Sequence, residues 1–369
     1  MNQHLEEALD LAARGWGATS PNPAVGAVVV RDGEVVGRGY HTWAGMKHAE
    51  VLALEEASER ARGGTLYVTL EPCASHGRTP PCIDAILAAG VRKVVAPMED
   101  PNPQTRGRGF MRLRDAGVEV ELAGQYAAQA TVINEPFVHF MRTGRPLVTL
   151  KAALTLDGKI GAPEDNAGWI TSETARNHVQ TLRHRSDAIL TGIGTVLADD
   201  CRLTDRTDLE RSRPLLRIVL DSQLRLPSES SLATSCNGDV LVITTSAASP
   251  DRRRRLERMG VRVEVLERSD GRASLQGVVE LLAREKYLSL MIEAGSRVNW
   301  SALESGVADK IYFYYAPKIL GGTQSIPVAG GLGRRRRKDA IQFRDLKLHS
   351  ISKDEFAVEA WVEREEGDA

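Results

Sequence analysis

The sequence predicts an α/β protein built as two domains, and three observations carry that expectation. At 369 residues the chain is long enough for two cores, taking roughly 100–200 residues per domain. Short apolar strands alternate with helical periodicity through its first third, the pattern of a layered mixed sheet with helices on both faces. Further on, apolar strands end in small polar residues at Asp221-Ser222, Thr245-Ser246 and Gly295-Ser296, as strands do where an open α/β sheet forms a ligand crevice at its carboxyl edge.

Residues 4–14 place Leu5, Ala8, Leu9 and Ala12 at helical spacing, and Gly15, Gly17, Ser20, Pro21, Asn22 and Pro23 then break the helix into a stiff loop. Val25 to Val30 and Val35 to Tyr40 read as two strands of a hairpin turning at Arg31-Asp32-Gly33-Glu34. A helix is expected from about Lys47, with His48 and Glu50 in its first turn and Val51, Leu52 and Leu54 following. Residues 65–70 form a third strand that releases Glu71-Pro72-Cys73. Pro80 and Pro81 suit a helix start that puts Cys82 in the first turn. Strands at Val91–Ala96 and Val118–Leu122, a helix near Gly109–Ala116 and one more helix over 125–142 complete the first domain, expected to span 1–145. The second, 146–369, opens with a strand from Leu147 to Leu154 that carries Lys151 in an apolar run. A helix capped by Thr171 or Ser172 runs to Arg183, and strands follow at Ala188–Thr191, Leu216–Leu220, Val240–Thr244, Leu288–Glu293, Ile311–Pro317 and Phe356–Trp361. Gly192-x-Gly194 is half of a dinucleotide fingerprint, so a conventional Rossmann domain is disfavoured.

Composition excludes several classes. A net charge of −1, from 48 basic and 49 acidic residues, argues against a nucleic-acid or membrane partner. It also makes the arginine runs at 252–255 and 334–337 solvated faces rather than polyanion patches. No stretch approaches the roughly 18 apolar residues of a membrane span. Of the four cysteines, Cys73 and Cys82 suit a metal while Cys201 and Cys236 sit far apart in unrelated contexts, so no disulfide framework is implied and a reducing cytoplasm is expected. A homo-oligomer is expected on base rates.

The chemistry of the first domain centres on His48, Glu50, Cys73 and Cys82. One imidazole and two thiolates suit a zinc ion that keeps a fourth position for water. Glu50, two residues after the histidine, can take a proton from that water and pass it to a leaving amine. This is the logic of hydrolytic deamination, whose signature is H-x-E followed by P-C-x-x-C; here eight residues separate the cysteines. The alternative is a closed zinc knuckle with His76 as fourth ligand, or two buried free cysteines, and neither has a use for Glu50.

Ser20-Pro21-Asn22-Pro23-x-Val25-Gly26, Gly37-x-Gly39-Tyr40-His41, His48-Ala49-Glu50-Val51, Glu71-Pro72-Cys73, His76-Gly77-Arg78-Thr79-Pro80-Pro81-Cys82 and Asp100-Pro101-Asn102-Pro103 together resemble the bifunctional deaminase/reductase family of riboflavin biosynthesis. The resemblance implies a cytidine-deaminase-like, three-layer first domain acting on a pyrimidinone ribosylamine phosphate. It also implies zinc on His48, Cys73 and Cys82, and Glu50 as proton shuttle. By the same resemblance Asn22 and His41 hold the pyrimidine and Arg78 stands near the phosphate. From the residues alone, Asn22 is equally a turn asparagine and Arg78 equally a surface charge.

The second half is similar to the same family's reductase domain through Leu150-Lys151-x-Ala153-x-x-Leu156-Asp157-Gly158, Trp169-Ile170-Thr171-Ser172, Thr195-Val196-Leu197-Ala198-Asp199-Asp200, Glu293-Ala294-Gly295 and Ala316-Pro317-Lys318-x-Leu320-Gly321-Gly322. That implies a dihydrofolate-reductase-like α/β domain that uses NADPH. Ala153, Trp169, Thr195, Asp199, Ser222 and the segment Gly295, Ser296, Arg297, Val298, Asn299, Trp300 and Ser301 are implied to line the cofactor. Arg183, Leu203, Arg206 and Glu293 are implied to bind the ribosyl phosphate substrate, with Lys151 catalytic beside the sugar carbon. Ala167, at a substrate-contacting position, stands where the family commonly has serine, and Cys201 replaces a proline. The expected function is zinc-dependent deamination of a 2,5-diaminopyrimidinone ribosylamine 5′-phosphate, followed by NADPH-dependent reduction of its ribosyl group. The alternatives are a zinc nucleoside or RNA-base deaminase with a non-catalytic second domain, and a non-enzymatic zinc protein.

Overall fold

The computed structural model describes residues 2–43, 45–76, 80–164 and 168–364. The expected site residues Arg78 and Ala167 lie outside the described residues. The chain forms two compact units, Met1–Gly144 with Glu210–Arg213, and Arg145–Leu209 with Pro214–Ala369. Arg145 groups with the second unit because its guanidinium bonds Asp309 Oδ1 (2.7 Å) and Val307 O (2.8 Å).

In chain order the first unit contains α1 (Gln3–Ala13), β1 (Gly26–Arg31), β2 (Glu34–Tyr40), α2 (Ala49–Ala57), β3 (Thr65–Val68), α3 (Cys82–Ala88), β4 (Lys93–Ala96), α4 (Arg108–Asp115), β5 (Glu119–Leu122), α5 (Ala127–Ile133) and α6 (Glu135–Thr143). The sheet order is β2-β1-β3-β4-β5, with β1 antiparallel to both neighbours and β3, β4 and β5 parallel. The hairpin turns where Asp32 and Gly33 take φ of 51° and 85°, the left-handed pair that tight hairpins favour. Strand alternation sends Ala27, Val29, Leu66, Val68 and Val94 against α2, α3 and α4, whereas Val28, Val30 and Val95 meet α1 and α5. That makes three layers, with the helices that carry His48, Glu50 and Cys82 all on one face.

The stretch 125–142, expected as one helix, is two. Asn134 interrupts it because its buried side chain accepts from Ala24 N–H and donates to Ala24 O, both at 2.8 Å. A buried amide satisfied by another segment's backbone holds its own chain out of helical register.

The second unit continues with β6 (Leu147–Thr155), β7 (Lys159–Gly161), α7 (Glu173–Arg185), β8 (Ala188–Gly192), α8 (Ile193–Asp199), β9 (Leu216–Leu220), α9 (Ser231–Thr234), β10 (Val240–Thr244), α10 (Pro250–Arg258), β11 (Arg262–Val265), α11 (Leu275–Arg284), β12 (Ser289–Ile292), α12 (Ser296–Glu304), β13 (Lys310–Ala316), β14 (Ile326–Pro327), β15 (Phe343–Ser350) and β16 (Phe356–Val362). Its nine-stranded sheet runs β11-β10-β9-β8-β12-β6-β13-β16-β15. It is parallel from β11 to β13 and antiparallel at β16 and β15. Ser172 caps α7 by accepting from Ala175 N–H, as its sequence position implies. Two apolar clusters cover the two faces: one is built on α11 and α12, the other on α8, α9 and α10. The carboxyl ends of β8, β9, β10 and β12 fall along one edge, where the three polar strand ends noted in the sequence come together. No helix among the described residues is long and apolar enough to cross a membrane.

Candidate active sites

In the first unit α2 is laid close on β2, since a Cβ at Gly39 would stand 2.3 Å from Ala49 O. The approach fixes where α2 begins. His48 is its N-cap, one position before the expected first turn, and Glu50 lies in that turn. Cys82 opens α3, and Cys73 sits on the loop after β3. The three ligand atoms lie close together: His48 Nδ1 is 3.0 Å from Cys82 Sγ and 3.6 Å from Cys73 Sγ, and the two sulfurs are 3.4 Å apart. A tetrahedral zinc ion with bonds of roughly 2.0–2.3 Å has edges of roughly 3.5–3.8 Å between such ligands, so the triangle fits a zinc ion with little adjustment. Among the described residues these three are the group able to hold a metal ion.

Electrostatics favours the same conclusion. A hydrogen bond from the Cys82 thiol, together with the His48 imidazole and the Cys82 N–H (3.3 Å), holds Cys73 down to about 4. The neighbouring Cys73 sulfur and burial push Cys82 up. The pair shares one proton, which a metal ion displaces on binding. Glu50 is only 4 % exposed, and burial followed by the Cys73 charge raises its carboxyl. A carboxyl so placed can both hold and release a proton.

Asn22 and His41 come together beside the metal group. Asn22 Nδ2 lies 3.3 Å from His41 Nε2, and His41 Nδ1 lies 3.2 Å from Lys47 O. With the proton on Nδ1 toward that carbonyl, Nε2 accepts from the amide. Burial lowers the His41 pKa, which favours this neutral ring. The His41 and His48 rings meet edge to face at 5.2 Å.

Two residues that sequence reasoning passed over support this site. Glu71 is buried and accepts from the backbone N–H groups of Asp100 (2.8 Å), Gly107 (2.9 Å), Gly109 (2.7 Å) and Phe110 (3.3 Å). It binds the Asp100–Phe110 segment to the Cys73 loop, and a Cβ at Gly109 would stand 2.2 Å from Pro72 O. Asn134 anchors Ala24, two residues after Asn22. The available signals were an acidic residue directly before the Cys73 loop and a lone asparagine ahead of Pro136.

In the second unit Lys151 on β6, Arg183 on α7 and Glu293 after β12 meet. Arg183 grips Glu293 through Nε (2.8 Å) and a terminal nitrogen (3.0 Å), while Lys151 Nζ lies 3.2 Å from Glu293 Oε2. Burial alone would raise the Glu293 carboxyl, but Lys151 and Arg183 outweigh it and hold it at about 2. Burial lowers Lys151, against the pull of Glu293. Arg183 also donates to Thr204 O (2.9 Å), which ties the loop bearing Leu203 and Arg206 to this cluster. The Leu203 side chain is buried in the apolar cluster of α8–α10, and the Arg206 side chain is exposed.

Several of the residues expected at the cofactor, Thr195, Ser222 and the start of Gly295–Ser301, lie at the carboxyl edge of the sheet. A Cβ at Gly192 would meet Val298 at 3.0 Å and one at Gly295 would meet Thr195 at 3.9 Å, so α8 and α12 begin side by side. Asp199 ends α8, Ser222 follows β9, and Ala153 lies within β6. Trp169 is 67 % exposed and stacks on Arg176 at 4.8 Å. Thr191 Oγ1, Asp221 Oδ1, Thr244 Oγ1, Ser296 Oγ and Asn299 Oδ1 are buried oxygens with no hydrogen-bond partner among the described residues. Buried polar atoms are normally satisfied. Five orphans at the ends of β8, β9 and β10 and in α12 therefore fit a polar cofactor such as NADPH lying along that edge.

A hydrolytic metal centre on a three-layer unit and a nucleotide-dependent reductase centre on a mainly parallel sheet define a bifunctional deaminase and reductase. Residues 1–98 match the cytidine and deoxycytidylate deaminase zinc-binding region, and residues 146–355 match the RibD C-terminal domain. The chain is 40% identical over 360 residues to the riboflavin biosynthesis protein RibD of Bacillus amyloliquefaciens, covering 95% of this chain and 96% of that one. It is 41% identical over 366 residues to RibD of Escherichia coli, with coverage of 95% and 96%. Among solved structures, form 1 of Acinetobacter baumannii RibD superposes with a TM-score of 0.87 at 34% identity, covering 98% of both chains. The Thermotoga maritima diaminohydroxyphosphoribosylaminopyrimidine deaminase/5-amino-6-(5-phosphoribosylamino)uracil reductase does so at 0.84 and 33% identity, also covering 98% of both. The chain belongs to the RibD family, the bifunctional deaminase/reductases of riboflavin biosynthesis. Its two domains fit zinc and NADPH respectively.

Proposed function

We propose that the first unit deaminates a 2,5-diamino-6-ribosylamino-4(3H)-pyrimidinone 5′-phosphate and that the second reduces the ribosyl group of the product to ribityl. The observation that carries the reading is the close triangle of His48, Cys73 and Cys82 with buried Glu50 beside it. Bound zinc supplies a Lewis acid that brings the pKa of water toward about 7. His48, Cys73 and Cys82 hold the ion. Asn22 and His41 orient the pyrimidine edge through the amide and the ring nitrogen. Glu50 takes one proton from the attacking water and delivers it to the departing amine while the second ends on the adjacent ring nitrogen, so water and the 2-aminopyrimidinone become a pyrimidinedione and ammonia. Arg78 is assigned to the substrate phosphate.

In the second unit NADPH supplies hydride, and the chain positions the sugar and provides a proton. Glu293, held as a carboxylate, accepts from the ribose hydroxyls. Lys151 stands in the same site as a buried ammonium and gives the one proton that accompanies the hydride. Arg183 fixes Glu293, and Arg206, with the backbone at Leu203, meets the phosphate. Ala153, Trp169, Thr195, Asp199, Ser222 and Gly295–Ser301 receive the cofactor, and the unpartnered oxygens on Ser296 and Asn299 are the support for placing it there. Ala167 offers no hydroxyl to substrate. Homo-oligomeric assembly and residence in the cytoplasm belong to the same proposal; light scattering on the purified protein checks the first and cell fractionation the second.

The test is a paired assay on zinc-loaded protein given the diaminopyrimidinone substrate. Ammonia release without NADPH, followed by NADPH oxidation in step with a ribityl product, supports both assignments. Ammonia with no NADPH oxidation removes the second.

A further inference from the structure

The arginine run at 252–255 divides into two pairs. Arg253 pairs with Glu257 at 2.8 Å and Arg254 pairs with Asp251, each within α10. Arg252 and Arg255, one turn apart on that helix, make no ion pair among the described residues. Both turn instead to a cleft of ≈ 350 Å³ that they line with Arg225, Ser228, Glu229 and Leu256. Three guanidiniums meet one carboxylate there, so the cleft carries an excess of positive charge although the chain as a whole is near neutral.

The cleft adjoins the strand ends expected to carry the cofactor. Arg252 donates to Gln223 O at 3.2 Å, and Gln223 follows Ser222. Arg225 is three residues on from Ser222 in the same loop. Ser222 itself is fixed: its carbonyl accepts from Thr245 Oγ1 (2.9 Å) and its hydroxyl from Ala273 N–H (3.1 Å).

We propose that this cleft receives the adenosine 2′-phosphate of NADPH and that Arg225, Arg252 and Arg255 set the preference for NADPH over NADH. The inference rests on the reductase reading above. NADH carries a neutral hydroxyl at that position, which gives the guanidiniums no charge to meet. A phosphate dianion offers them bidentate, charge-assisted hydrogen bonds. Glu229 opposes an anion in the cleft but is outnumbered.

The experiment titrates the full chain calorimetrically with adenosine 2′,5′-bisphosphate, adenosine 5′-monophosphate and inorganic phosphate. The wild type is expected to bind the bisphosphate at least roughly ten-fold more tightly than the monophosphate, the scale of one or two charged hydrogen bonds. The Arg225→Gln/Arg252→Gln/Arg255→Gln variant is expected to lose that margin while its monophosphate affinity stays put, and its KM for NADPH rises while that for NADH does not. Single Arg252→Gln protein provides the same readout if the triple variant folds poorly. A variant that keeps the margin overturns the inference. So does phosphate binding that the variant abolishes with no change in NADPH preference. Wild-type protein that binds neither nucleotide and oxidises neither cofactor defeats the reductase reading itself, a different result.

Discussion

Replacing Glu293 with glutamine keeps the shape of the side chain and deletes its charge, leaving Lys151 and Arg183 in a buried site without their carboxylate. Two routes give the cost. The carboxyl is held at about 2 against an ordinary 4.5, and a depression of that size is worth about 3 kcal/mol. Breaking a buried ion pair from one side costs about 3–5 kcal/mol. The side chains of Lys151, Arg183 and Glu293 are 11–13% exposed, so solvent screening reduces this little. Because the folded carboxyl lies below its ordinary value, the stabilisation is complete above pH 4.5 and is lost as pH falls from there toward 2. For a unit of this size, about 3 kcal/mol moves the melting temperature by about 6–12 °C. Differential scanning calorimetry at pH 7 is the assay, with the transition of the second unit as the readout. Adding Lys151→Met removes one orphaned cation and is expected to recover about half of the loss, as coupled neighbours do. A Glu293→Gln shift under about 2 °C at pH 7 would refute the claim that Glu293 is held as a buried anion.

Glu50→Gln is expected to retain zinc, measured by atomic absorption, while ammonia release falls by about 10²–10⁴-fold, the range for a lost acid–base group; unchanged turnover contradicts its role as proton shuttle. Removing zinc with a chelator should free Cys73 and Cys82 to react with a thiol reagent and lower the first unit's melting transition, whereas the second unit's transition stays in place. Asn134→Ala strands the N–H and carbonyl of Ala24 and is expected to cost about 2–4 kcal/mol. Because Asn22 lies on the loop so loosened, KM for the pyrimidine substrate should rise more than kcat falls, and an equal fall in both would place the effect elsewhere.

The zinc group was legible because its members are short-range in sequence and of unmistakable chemistry: a histidine and a glutamate two apart, and two cysteines each beside a proline. The strands that deliver Lys151 and Glu293 were legible from their apolar runs, but the Lys151–Arg183–Glu293 contact was not, since it joins residues up to 142 positions apart. Glu71 and Asn134 escaped for a related reason. Each acts by satisfying backbone groups of a distant segment, and nothing in the local residue pattern records which segment that is. Strand β15 escaped differently. Its residues 343–350 mix exposed Phe343, Leu346 and Leu348 with charged and polar side chains, Asp345 takes a φ of 54° and its pairing with β16 is irregular between Arg344 and Lys347. A strand whose neighbour lies on one side only needs no alternating apolar face.

The two sites use one side-chain type in opposite ways, and the surroundings decide which. Glu50 is buried beside a sulfur that carries negative charge, so both the loss of water and the neighbour favour its protonated form. Glu293 is buried as deeply, yet an ammonium and a bidentate guanidinium reverse the balance and keep it ionised. Burial sharpens whichever partner is present, because both interactions strengthen as solvent leaves. Glu50 therefore sits beside a thiolate and an imidazole, with neither an ammonium nor a guanidinium against it. Glu293, the carboxyl proposed to anchor the sugar, is clamped between the two. Exchanging the roles would take movement of the cations rather than of the glutamates, so Lys151 and Arg183 matter as much as Glu293 to the reductase centre proposed above.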